Sequence, residues 1–217
     1  MAEKDLNDVS STWRELYQKG YTTLDQGDAD AAVILFNQIL DAEPKLFVCR
    51  EALRRAQLLR AQEHNGFLKH AMEEVREIPG LAKAEACLHT RPLQAIRLAE
   101  GVLNHVPDSI AAHKILARAA AKANMPRTAL LSLNFINSHT TESVGSSLEL
   151  VVALAQAGRT EEALSLCGRL QKDYPRNKHV MRTLADVAQV AFDERTVEMS
   201  RPAAPRWGFK SPTANRK

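Results

Sequence analysis

A period of 34 residues constrains this chain more than any other feature. Shifting the sequence over itself by that amount stacks Ala95, Ala129 and Ala163 in one column and Leu116, Leu150 and Leu184 in another. Further columns keep their size and polarity: Ala120, Leu154 and Ala188; Val102, Ile136 and Leu170; Ala117, Val151 and Ala185. Pro107 recurs as Pro175, with Thr141 between them. A period of this length marks a supersecondary unit that cannot bury its apolar face alone and must stack on copies of itself. The composition fits helices: 45% of residues are hydrophobic and only 5% aromatic, with Ala and Leu dominant, which argues against strands rich in β-branched residues.

Local signals agree with the period. Pro92 and Pro126 are placed to open helices, where a missing amide costs little, and Thr160 before Glu161 and Glu162 reads as a helix cap. At the amino end, Gly20, the turn pair Gly27 and Asp28, then Ala32, Phe36, Ile39 and Pro44 repeat the same logic of close packing, turn and unit end. A second run, Leu150, Gly158, Ala163, Leu170 and Pro175, repeats it again. These spacings resemble the tetratricopeptide repeat family, whose 34-residue units are helix-turn-helix pairs. The resemblance covers roughly residues 11–193 and implies an all-α, right-handed solenoid of about five helix pairs with a capping helix, predicted at about residues 177–192. It also implies a concave groove lined chiefly by the first helix of each unit. The paired Lys and Asn residues with which some family members hold chaperone tails do not stand at matching places.

The period breaks once. Ala32 and Ala95 are 63 residues apart where two periods need 68. Residues 45–80 are therefore predicted as a distorted unit: a long helix over about 46–63, a turn at Asn65 and Gly66, a helix ending near Ile78 and a break at Pro79 and Gly80. Residues 1–10 are polar and predicted disordered. Residues 194–217 are predicted to be a disordered basic tail, because 201–212 hold three prolines and no helical period. The net charge of +3 sits in that tail, where Arg201, Arg206, Lys210, Arg216 and Lys217 stand without an acidic neighbour. The remaining body is close to neutral.

No targeting signal or membrane-spanning run is read in the sequence. Cys49, Cys87 and Cys167 read as small core residues of a reduced, cytoplasmic protein. The seven histidines form no metal-binding spacing, no glycine-rich phosphate loop is present, and Gly145, Ser146 and Ser147 read as a helix entry. Neither a metal, a cofactor nor an enzymatic activity is expected. Lys114, Arg118 and Lys122, at steps of four, form one basic stripe on a helix, which could clamp an acidic peptide in the groove, although a solvated face is the usual reading of such a stripe. Tyr17 and Tyr21 are secondary candidates for stacking on a ligand, with packing against the next helix as the alternative. Arg206, Trp207, Phe209 and Lys210 are candidates for a docking motif in the tail. The leading expectation is a scaffold or adaptor that binds a protein or peptide. The alternatives are a nucleic-acid binder acting through the tail, which the near-neutral body disfavours, and a non-catalytic module of a larger assembly. Oligomeric state cannot be read from these residues.

Overall fold

The computed structural model describes residues 3–63, 67–140 and 144–200, and every described element beyond a single turn is an α-helix. Ten helices follow one another: α1 (Ser11–Asp25), α2 (Ala29–Ala42), α3 (Phe47–Glu63), α4 (Phe67–Cys87), α5 (Pro92–Leu103), α6 (Ile110–Lys122), α7 (Pro126–His139), α8 (Val144–Gln156), α9 (Thr160–Asp173) and α10 (Lys178–Ser200). The tight turns within pairs need one residue in the left-handed region, and Gly27, Asn124 and Gly158 supply it at φ 89°, 56° and 74°. Asn124 and Gly158 are again one period apart. Pro92 and Pro126 do open α5 and α7. Thr160 is not a cap: Gly158 turns the chain one residue early, so Arg159 takes the cap position and Thr160 is the first helical residue.

Sequence neighbours pack on one another as a helical-repeat solenoid requires, in the pairs α1 with α2, α4 with α5, α6 with α7 and α8 with α9, with α10 at the end. The periodic columns lie inside. Ala95, Ala129 and Ala163 are at most 1% exposed, while Leu116 and Leu150 fill the core between pairs. In the first pair a Cβ on Gly20 would stand 2.8 Å from the Phe36 ring, so only glycine lets α1 approach α2 that closely.

Three expectations change. Pro79 and Gly80 do not break a helix: α4 runs through Pro79 to Cys87. Gly80 instead faces Val102 on α5, where an added Cβ would come within 3.1 Å of a methyl, so it serves close packing. Residues 3–8 are not disordered. Lys4 pairs with the backbone of Lys45 and Phe47, Leu6–Asp8 form a 3-10 turn, and Val9 is buried. At the other end α10 continues to Ser200, beyond the predicted limit near residue 192. The predicted turn at Asn65 and Gly66 lies outside the described residues, as do residues 201–217 of the tail.

The missing five residues mark where the stacking is interrupted. α3 packs on α2 and reaches α7, whereas α4 packs on α5 and α6, so α3 and α4 are not the two halves of one unit. The apolar interior is divided accordingly: one core runs from Val9 to Ala56 and a second from Ala84 to Val187. Polar side chains join them. Glu100 on α5 receives Arg50 Nε at 3.2 Å and Arg54 Nη2 at 3.2 Å from α3, and all three residues are at most 5% exposed. Burial lowers the Arg54 pKa from its usual value, and Glu100 opposes that shift. Gln57 donates to Asn104 at 2.7 Å. Arg50 also donates to the Thr128 hydroxyl at 3.2 Å, which in turn donates to Glu3 at 2.6 Å. Two buried guanidinium groups thus share one carboxylate, and the Thr128 hydroxyl links Arg50 to Glu3 of the amino-terminal strap. Arg97 with Asp41 and Arg127 with Asp5 close the rim of this seam.

Candidate functional site

The first helices of the regular pairs, α6, α8 and α10, line a groove of about 700 Å³ whose floor is formed by Ala129 and Leu133 of α7. Its walls are largely apolar: Leu148 and Val152 of α8 face it, and Val152 is 42% exposed. Polar groups stand around this apolar strip. Arg118 and Lys122 come from α6, Glu149 and Gln156 from α8, and His179 and Thr183 from α10. An apolar trough with a few convergent polar groups is the usual form of a site that holds a side chain or a short segment.

The basic stripe is divided by the geometry. Lys114, Arg118 and Lys122 are all exposed on α6, but only the last two line the groove. Arg118 reaches toward α4 and pairs with Glu85 at 2.9 Å, which fixes its guanidinium at one end of the trough. Lys122, in the last turn of α6, makes no ion pair among the described residues. It is the more available of the two charges for an incoming carboxylate.

Tyr17 and Tyr21 are elsewhere. Both belong to α1, where Tyr17 packs against the first core, and neither lines the groove. The Tyr17 ring lies 5.9 Å from Phe36 and 6.1 Å from Tyr21, and its burial raises the phenol pKa. The Tyr21 hydroxyl accepts from Arg55 at 3.3 Å. Both rings are half-buried and engaged in packing. Arg206, Trp207, Phe209 and Lys210 lie outside the described residues.

Glu149 and Val152 are groove residues that the sequence reading did not single out. A signal was present: one period beyond Arg118 and Lys122 stand Val152 and Gln156, so the stripe carried forward marks the same wall on the next pair. Among the described residues no group of three or more His, Cys, Asp or Glu side chains is arranged to hold a metal ion. Cys49 and Cys167 are buried free thiols, and burial pushes the Cys49 pKa up to about 12. No described helix is long and apolar enough to cross a membrane.

No protein-family model matches the chain, and no curated protein matches it in sequence. Among solved structures, a tetratricopeptide repeat protein from Parabacteroides merdae ATCC 43184 is similar at 18% sequence identity, over 89% of this chain and 82% of that one, with a TM-score of 0.40.

Proposed function

We propose that this protein is a non-catalytic scaffold or adaptor that holds a peptide segment of another protein in the groove of α6, α8 and α10. The observation that carries this reading is an apolar trough, with Val152 left 42% exposed, bordered by Arg118 and Lys122 on one side. Exposed apolar surface set in a concave polar rim favours burial against a partner, and cations at the rim favour a partner with acidic residues beside its apolar ones. The ligand that fits is a short segment whose apolar side chains enter between Leu148 and Leu133 while a carboxylate meets Lys122. The free thiols suit a reducing compartment such as the cytoplasm.

Selection of a random-peptide library on the full chain, followed by fluorescence anisotropy with the selected peptides, tests the proposal. Val152→Glu should weaken binding by about tenfold or more, because it places a charge in the trough, and Lys122→Glu should do so for the acidic members of the set. Lys114→Glu, outside the lining, should leave affinity within about twofold. Selected peptides that bind Val152→Glu as tightly as the native chain would remove the groove from consideration.

A further inference from the structure

A helix at the end of a stacked array needs a polar outer face or a further element over it. α10, the last described helix, has an apolar one. Carried forward by one period, Ser147, Val151 and Leu154 of α8 fall on Met181, Ala185 and Ala188 of α10. In α8 those three positions are buried, as are their counterparts His113, Ala117 and Ala120 in α6. In α10 they are exposed, Met181 at 51%, and Phe192 beyond them is 64% exposed. α9 follows α8 and packs on it, whereas no described helix follows α10. The four residues recur at steps of four, three and four, so they form one stripe along the helix. Val180 and Val187 face the core and His179 and Thr183 face the groove, which makes the stripe a separate side of α10.

We infer that a second copy of this chain covers the stripe, its α10 packed antiparallel about a two-fold axis midway between Met181 and Phe192. Three observations point to that occupant. The stripe is self-complementary in size: the two-fold sets Met181 against Phe192 of the second copy and Ala185 against its Ala188, with large residues at the ends and small ones where the helices approach most closely. It is self-complementary in charge, since Arg182 and Asp193 lie on the same flank of the stripe and the antiparallel arrangement brings each Arg182 beside the other copy's Asp193. A parallel arrangement would set the Arg182 and Asp193 flanks of the two copies on opposite faces, out of each other's reach. Finally, the position that no described residue fills is that of a second helix in a pair, which is antiparallel to the first, and α10 is long enough to fill it, with 23 residues against 13 in α8. Residues 201–217 are a poorer occupant, because Pro202, Pro205, Gly208 and Pro212 oppose a helix.

Sedimentation velocity and light scattering on the full chain test this. The native protein should populate a dimer in the micromolar range. Ala185→Glu with Ala188→Glu should give a monomer with unchanged helical circular dichroism, because both positions are solvent-exposed in the single chain. Arg182→Asp should weaken association about tenfold, and Arg182→Asp combined with Asp193→Arg should restore it, a recovery that a purely structural role would not produce. A monomer at every concentration, or a dimer indifferent to the glutamate pair, would overturn the proposal. So would a chain that dimerises only after residues 201–217 are removed, which would make the tail the native cover.

Discussion

His113 is fully buried, donating from Nε2 to the Pro107 carbonyl at 3.0 Å and stacked 4.1 Å from Phe135, which is itself stacked 4.0 Å from His139. Burial, then the nearby charge of Arg54, hold its pKa at about 3, and the Pro107 bond only partly offsets them. The folded chain therefore keeps this ring neutral where the unfolded chain, near the usual histidine value of 6.5, takes up a proton. Its contribution to stability is complete above that value and is lost as pH falls toward the folded pKa. Denaturation at pH 6.5 and at about pH 5 should differ by about 1.5 kcal/mol from this residue. His113→Leu should remove that part of the slope, and an unchanged slope would contradict the assignment. At this scale the sequence was legible where one residue decides by itself, as at Gly27 or Pro92. It was silent on His113, because a buried histidine and a solvated one share the same spacing.

The start of α7 is completed by an element far away in sequence. Pro126 has no amide to satisfy, and the next two amides, of Arg127 and Thr128, donate to Glu3 at 2.8 Å each. A carboxylate at a helix N-terminus also meets the positive end of the helix dipole. Glu3→Gln keeps the size but removes the charge that accepts from the Arg127 and Thr128 amides and the Thr128 hydroxyl, and should cost about 1–3 kcal/mol by urea denaturation. Hydrogen exchange should quicken at Arg127 and Thr128 rather than across the chain; uniform quickening would mean the strap acts on the whole fold instead. The expectation of a disordered amino end failed for the same reason, since a polar segment of residues 1–10 shows nothing of a docking site more than a hundred residues later. Pro79 misled in the opposite way: a proline usually ends a helix, but α4 continues past it, where Leu81 and Ala84 join the second core and the helix packs on α5.

At the scale of the whole molecule, two apolar cores are joined by a charged seam. Apolar packing tolerates small shifts, whereas a buried ion pair that loses one partner is strongly destabilised. Glu100→Gln leaves Arg50 and Arg54 without their shared carboxylate, at a cost of about 3–5 kcal/mol to the seam. Calorimetry should then resolve two transitions, the earlier from α1–α3, in place of the native one; a single lowered transition would show that the cores cannot part. The solenoid itself was legible because the period runs through three helix pairs and the last helix. The parting of α3 from α4 was not, since a deficit of five residues says that a unit is irregular without saying which face the displaced helix will find. The groove was half legible: the α6 charges could be read directly, but its apolar wall on α8 emerges only when the period is carried forward.

The strap that joins Glu3 to Thr128 also sets an order of events during synthesis. The α1–α3 core can collapse as soon as its own residues have emerged, yet Glu3 must wait for a partner 125 residues downstream. At ordinary translation speeds of about 5–20 residues per second, that interval is roughly 6–25 seconds. For the part of that time after α3 has emerged, the nascent chain carries Arg50 and Arg54 facing water, and the seam shuts only when α5 and the start of α7 arrive.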